Sequence, residues 1–187
     1  MFKSYWKGSP IDKVDMETFD KDRITMKPIS HNVAKNVILK HHYSHTFPAA
    51  ELYLGFYVDL KLNTVVLYGQ STASKMAASL PGKYWELVRL FSFDWAGKNM
   101  ESYCIGQSIK YIKKHHSDIK VLVSFADPEQ GHNGTIYQAT NWLYCGKSQA
   151  DEWYIVDDEK IHPRSMVAKY GTRGKKKLDE MGIKFER

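Results

Sequence analysis

The chain has 187 residues, 43% hydrophobic and 13% aromatic, which excludes a disordered or fibrous protein and fits one domain with a sizeable core. Its two cysteines exclude a disulfide framework, and the lack of an 18-residue apolar run excludes a spanning helix. The net charge of +6 is lodged wholly in residues 160–187, where nine Lys/Arg face three acidic residues. Nucleic acid is the first partner to expect from that placement, and a solvated basic helix is the plain alternative. Cys104 and Cys145 both sit in apolar runs and are expected to be buried free thiols of a reducing cytosol. No signal-peptide core opens the chain, so a cytoplasmic protein with no membrane partner is expected.

Residues 1–22 show no periodicity and read as an arm that packs through Tyr5, Trp6 and Phe19. Residues 23–30 alternate as a first strand, and Ser30 is placed to cap a helix from His31. That helix sets Val33, Ala34, Val37 and Ile38 on one face, which His41 and His42 extend inward one turn later. With Tyr43 and His45 close behind, the group reads equally as helix-end packing or as part of a site. Residues 51–60 and 64–70 form a hairpin about a polar turn at 61–64. Residues 71–83 are small and turn-rich, a loop able to cover a pocket. Residues 84–93 make the next strand, interrupted by Arg89. A buried arginine is costly unless paired, so Arg89 bonds an internal carboxylate or faces a ligand anion.

Residues 99–114 form the strongest helix pattern, with Ile105, Ser108, Ile109 and Ile112 on one face. Its polar start at Asn99 and Ser102 suits a phosphate or carboxylate. Residues 121–125 are a short buried strand, and the stretch it opens, residues 124–146, carries most of the chemistry. Asp127 and Pro128 signal a turn, and Gly131 and Gly134 bracket His132 and Asn133 so that backbone can approach a ligand. Ile136, Ala139, Thr140 and Leu143 then predict a helix. Ser124, Asp127, His132 and Tyr137 are residue types that move protons. Residues 152–156 make a further strand before the basic segment.

This order predicts an α/β (α+β) fold: a mixed, largely antiparallel central sheet with helices on both faces. It resembles the acyl-CoA N-acyltransferase (GNAT) fold, in which the helix after the fourth strand receives the donor pyrophosphate. The helix at Asn99–Ser102 matches that place, but the Arg/Gln-x-x-Gly-x-Gly/Ala signature is absent, which counts against ordinary acetyl-CoA binding. The domain reading is an N-terminal arm at 1–22, a GNAT-like catalytic domain at 23–163, and a basic C-terminal segment at 164–187 packed on that domain.

Four stretches, within a match that runs from about residue 23 to about 170, together resemble the phage Mom DNA-modification proteins: His41-His42-Tyr43-Ser44, Glu86-Leu87-Val88-Arg89-Leu90, Asn99 with Ser102, and residues 126–139 from Ala126-Asp127-Pro128 through Gly131-His132 to Tyr137-Gln138-Ala139. The resemblance implies an enzyme that converts adenine in DNA to N6-carbamoylmethyl(acetamido)adenine. Such a mark shields phage DNA from host restriction in the cytoplasm of an infected bacterium. It implies functional positions at His42, Tyr43, Arg89, Ser124, Asp127 and Tyr137. It also raises iron, for which His41, His42 and His45 are the ligands to consider, although no local metal signature supports them.

In that chemistry Asp127 orients or deprotonates N6, and Tyr137 or Tyr43 protonates the leaving group. Arg89, Asn99 and Ser102, with Gly131, His132 and Gly134, hold substrate and donor. The adenine leaves the duplex to react; Phe47, Trp85 and Trp142 either stack on it or, more ordinarily, belong to the core. Arg164, Lys169, Arg173, Lys175, Lys176 and Lys177 are expected on the phosphates of double-stranded DNA. A glycyl group and a carbamoylmethyl group are isomers, so an activated glycyl donor such as glycyl-tRNA is favoured over acetyl-CoA, with tRNA as a second partner. The rival readings are a GNAT-like N-acyltransferase for another amine and a non-catalytic DNA-binding protein.

Overall fold

In the computed structural model, which describes residues 3–7, 20–70, 80–127, 131–147, 153–161 and 163–185, seven strands join in one sheet. They are β1 (Lys3–Lys7), β2 (Ile24–Pro28), β3 (Leu52–Val58), β4 (Lys61–Gly69), β5 (Tyr84–Ser92), β6 (Val121–Phe125) and β7 (Leu143–Tyr144), in the order β2-β3-β4-β5-β6-β1-β7. The four strands from β2 to β5 are antiparallel; β5–β6, β6–β1 and β1–β7 are parallel. Helices α1 (His31–His41) and α2 (Met100–His115) flank the sheet, and α3 (Thr135–Gln138) follows β6. The chain falls into two compact units, Met1–Lys147 and Ser148–Arg187, and this sheet belongs to the first.

The alternation of β4 assigns the two faces. Val65 and Leu67 pack with Ala34 and Ile38 of α1, while Val66 and Tyr68 pack with Cys104, Ile105 and Ile112 of α2. The helices therefore lie on opposite faces of the mixed sheet, as the element order predicts. Ser30 caps α1, its hydroxyl accepting the Val33 N–H at 3.4 Å, and Lys40 and His41 sit in the last turn where the dipole favours them. In α2 the buried residues include Ile105, Ser108 and Ile112, and Lys113, Lys114 and His115 close its last turn. The Tyr68 hydroxyl, fully buried, meets Ser108 Oγ at 2.5 Å, which satisfies both.

Several expectations give way. Residues 3–7 are not merely an arm: they form β1, parallel between β6 and β7, so the strand at 24–28 is second in the chain. The side chains of Tyr5 and Trp6, all of Phe19 and the loop at 71–79 lie outside the described residues. The β3–β4 turn is Asp59–Leu60, both at positive φ, with Val58 opposite Lys61. The predicted helix through Leu143 stops after one turn. Asn141 takes φ 58°, the Trp142 N–H turns back to the Tyr137 carbonyl at 3.0 Å, and Leu143 lies in β7. Cys104 is buried as expected, but Cys145, just beyond β7, is exposed. Trp85 and Trp142 belong to the core, and Phe47 packs against Tyr53 beside α1. His41 is exposed, its ring against Phe91 and Phe93, so only His42 continues the inward face.

The second unit has its own small core of Tyr154, Val156, Ile161, Met166 and Leu178. A hairpin, β8 (Tyr154–Val156) and β9 (Glu159–Ile161), precedes α4 (Pro163–Tyr170) and α5 (Lys175–Glu180). No helix among the described residues is long and apolar enough to cross a membrane.

Candidate active site

The site begins where the sheet stops pairing. Strands β5 and β6 run together only from Tyr84–Glu86 opposite Val121–Val123, while both continue beyond that point. In the same place β5 carries a bulge: Leu67 pairs Arg89 but Tyr68 pairs Leu87, so Val88 is an extra residue. A bulge shifts the phase of the strand and re-aims side chains. Trp85 and Leu87 pack on the α2 side before it and Leu90 after it, whereas Val88 packs on the α1 side. Strict alternation would have sent Arg89 towards the α2 core.

Arg89 instead meets the loop after α1. Its Nη1 donates to the Val88 carbonyl at 2.6 Å and its Nη2 to Thr46 Oγ1 at 2.8 Å. Its Nε is buried without an acceptor among the described residues. No carboxylate forms an ion pair with it there; burial lowers its pKa, and Tyr43 and Glu86 oppose that by charge alone. Of the two readings of Arg89, the internal carboxylate pair is not formed among the described residues.

His42, 6% exposed, ends α1. Its Nδ1 accepts the Ser44 N–H at 3.1 Å and lies 2.9 Å from Ser44 Oγ. Burial first, then the charges of Arg89, His132 and His45, push its pKa down to about 4. The Tyr43 ring, half exposed, lies 4.3 Å from the His42 ring and 5.4 Å from that of His132. Burial and the nearby charge of Asp127 raise the Tyr43 pKa against the pull of Arg89. Thus His42, Tyr43, Arg89, Asp127 and His132 share one neighbourhood.

Ser124, at the end of β6, and Tyr137, on α3, form its floor. Ser124 Oγ donates to the Tyr137 hydroxyl at 2.7 Å, and both are buried. Burial pushes the Tyr137 pKa up to about 12; Ser124 lowers it, and Tyr43 and Glu86 raise it. Between β6 and α3 the His132 N–H donates to the Asp127 carbonyl at 3.1 Å, which closes the loop. Gly131 and Gly134 stand at φ 71° and 76°, and Gly134 caps α3. A side chain at Gly131 would meet nothing among the described residues, so what they require of it is the backbone angle rather than close approach. Residues 128–130 of this loop lie outside the described residues.

Asn99 and Ser102 are placed apart from this cluster, in a cleft of about 390 Å³. Phe93, Asp94, Lys98, Glu101 and Ile136 also line it. It therefore touches α3 on the residue next to Tyr137. Asn99 is left-handed at φ 68°, and the Ser102 hydroxyl donates to the Asn99 carbonyl at 3.0 Å. The three candidate metal histidines do not converge. His45 Nδ1 lies 3.0 Å from the Leu39 carbonyl, His42 Nδ1 is taken by Ser44, and His41 is engaged with Phe91 and Phe93. Among the described residues no three His, Cys, Asp or Glu side chains form a metal-holding group, so iron does not fit them.

Sequence reasoning missed Thr46. Nothing in its neighbourhood marks it, because its contact depends on the Val88 bulge. In the second unit, Lys169 Nζ pairs with Glu159 at 3.1 Å, and the Arg173 carbonyl accepts the Tyr154 hydroxyl at 2.7 Å. Lys175, Lys176 and Lys177 open α5 and are exposed, while the side chain of Arg164 lies outside the described residues.

A family model described as the Mom protein family matches residues 23–186. Methylcarbamoylase mom of Escherichia phage Mu is 27% identical over 164 residues, which is 83% of this chain and 68% of that protein. Among solved structures, a possible acetyltransferase from Clostridium difficile 630 is similar with a TM-score of 0.50 at 12% identity, over 69% of this chain and 96% of that one; this is a likeness of fold.

Proposed function

The chain belongs to the Mom protein family, and on that premise we propose that it is a DNA-modifying transferase that places a carbamoylmethyl group on adenine N6 and so protects phage DNA from restriction. The observation that carries the reading is the cluster of Tyr43, Arg89, Asp127 and the Ser124–Tyr137 pair where β5 and β6 part. It joins a proton acceptor, two phenols and a cation lacking an ion pair among the described residues, a set that binding alone does not need. That the phage Mu relative is a methylcarbamoylase supports the transferase part of this reading.

Adenine N6 is a weak nucleophile because its lone pair is delocalised into the ring. Catalysis must therefore remove its proton as it attacks and stabilise charge on the donor carbonyl. Asp127 takes or orients the N6 proton. Arg89 faces the oxyanion or the donor's anionic group. Tyr137, protonated up to about pH 12, or Tyr43 donates a proton to the leaving oxygen. The helix start at Asn99–Ser102 holds the rest of the donor.

For the donor we favour an activated glycyl ester such as glycyl-tRNA. N6 attacks the glycyl carbonyl, an N–C bond forms, and the ester C–O bond breaks. The glycyl amine then attacks ring C6, and the bond from C6 to the amide nitrogen breaks. The product carries CH2-CO-NH2 on the nitrogen that came from glycine. Atoms balance, and no oxidant enters.

The experiment is mass spectrometry of nucleosides after incubating protein, double-stranded DNA and ¹⁵N,¹³C-labelled glycyl-tRNA. A heavier deoxyadenosine carrying both labels is expected. Label that stays out of DNA while another donor works overturns the glycyl route, and the absence of any modified adenine overturns the DNA-modification reading. Asp127→Ala should abolish the product while DNA binding remains.

A further inference from the structure

Between Arg89 and His42 lies a continuous chain of hydrogen bonds through two residues with no assigned role. Arg89 Nη2 donates to Thr46 Oγ1 at 2.8 Å, Thr46 Oγ1 donates to Ser44 Oγ at 3.2 Å, and Ser44 Oγ lies 2.9 Å from His42 Nδ1. The direction of every proton is forced from both ends. A guanidinium has donors only, so Thr46 Oγ1 accepts from Arg89, and it donates its own proton to Ser44, whose single proton is committed to His42. At the other end the Ser44 backbone N–H donates to His42 Nδ1 at 3.1 Å, and a backbone N–H cannot accept. Nδ1 therefore presents its lone pair, and the Ser44 hydroxyl must also donate to it. The imidazole then carries its proton on Nε2, which no described residue occupies as a partner.

We propose that Ser44 and Thr46 are positioning residues that connect Arg89 to His42 through a one-way hydrogen-bond chain, so that His42 serves the reaction as a neutral Nε2–H donor and not as a base. The inference rests on the transferase reading for its catalytic half, while the chain itself is a property of the protein alone. The groups that face His42 agree with it. Arg89 from β5, His132 from the loop before α3 and His45 from its own loop all disfavour a second proton on the ring, and the charge of Asp127 acts on the neighbouring Tyr43. A fixed neutral Nε2–H is a preorganised donor for an acyl oxygen on which negative charge develops. Chains of this kind also polarise one another, so the charge of Arg89 sharpens each donor in turn.

The test is ¹⁵N NMR of the histidine side chains in the full-length protein, with Thr46→Val, Thr46→Ser and Ser44→Ala beside the wild type. Wild-type His42 is expected as the Nε2–H tautomer. In Thr46→Val and Ser44→Ala its Nδ1 resonance should move towards that of a free imidazole nitrogen, while Thr46→Ser should leave it in place. An Nδ1-protonated His42 in the wild type, or an Nδ1 resonance unmoved in both Thr46→Val and Ser44→Ala, overturns the proposal. In the modification assay Thr46→Val should lower kcat about tenfold with KM for DNA unchanged, and Thr46→Ser should restore it. An unaltered kcat in Thr46→Val removes the catalytic half. Because the spectrum needs neither DNA nor donor, a protein that shows the tautomer but modifies no adenine defeats the transferase reading and leaves the hydrogen-bond chain intact.

Discussion

Arg89→Met separates what the fold needs from what the chemistry needs. The guanidinium is half buried, holds two neutral acceptors, and leaves Nε buried without one. Losing two hydrogen bonds from a charged donor costs about 1.5–3 kcal/mol apiece at most, and less where water reaches the group. Against this, a desolvated cation without an ion pair carries a penalty of several kcal/mol when fully buried, of which a half-buried group bears roughly half. Methionine keeps most of the stem's packing and fills irregular space. The terms nearly cancel, so stability should change by no more than about 1 kcal/mol in either direction. Activity should behave otherwise: a cation aimed at developing charge contributes about 10²–10³ in kcat. Urea unfolding gives the first quantity and nucleoside mass spectrometry the second. If Arg89→Met loses more than about 3 kcal/mol of stability, the arginine holds the fold together and the reasoning fails. It fails equally if modification proceeds at the wild-type rate.

Leu60→Gly should raise the melting temperature. Leu60 stands at φ 67° in a two-residue turn and is 87% exposed, so glycine removes left-handed strain of about 1–2 kcal/mol and loses little packing, offset by about 0.4–1 kcal/mol of added freedom in the unfolded chain. A lower melting temperature counts against a strained turn. The depressed His42 pKa of about 4 fixes a pH dependence. Between pH 4 and 6.5 the unfolded state binds more protons at this residue than the folded state does, so its contribution is complete above 6.5 and is lost as pH falls towards 4. His42→Gln should flatten that slope in urea titrations at stepped pH, and a slope that survives shows another group responsible. Replacing Lys175, Lys176 and Lys177 together with Ala should reduce the slope of log K for DNA against log salt by about 2–3, measured by fluorescence anisotropy. Lys169→Ala should reduce it by less than about 1, because that ammonium is paired with Glu159. Equal slopes for all three proteins would take the DNA contact away from α5.

What the sequence made legible was local. The cap at Ser30, the Ala34–Ile38 stripe and the Ile105–Ser108–Ile112 stripe announce two helices, and the alternation of β4 tells that both of its faces are covered. The strand–loop–helix at 121–138 could be read the same way, and with it Ser124 and Tyr137. What stayed hidden depends on distant pairing. Residues 3–7 become a strand only because β6 offers them a parallel edge, and no period of their own shows it. The helix begun at Thr135 has the apolar spacing to continue, but Asn141 accepts a left-handed angle and Trp142 closes back on Tyr137, so the chain leaves for β7. Cys145 is exposed for the same reason: it follows an edge strand and not a helix.

The bulge at Val88 explains why the site residues could be named without being placed. Counting along β5 by twos from Trp85 sends Arg89 to the α2 face, into a core of Leu54, Tyr68 and Ile105, where an unpaired cation is not sustainable. One inserted residue moves it to the other face, where Thr46 meets its Nη2. The carbonyl of Val88, the inserted residue itself, meets its Nη1. The irregularity that brings Arg89 to the His42 loop occurs just where β5 stops pairing with β6. That loss of pairing frees the end of β6, with Ser124, to face α3. Two departures from regular pairing, set side by side on one strand, thus bring residues from α1, β5, β6 and α3 within reach of one another. A regular sheet of the same residues would keep Arg89 and Ser124 but would separate Arg89 from His42.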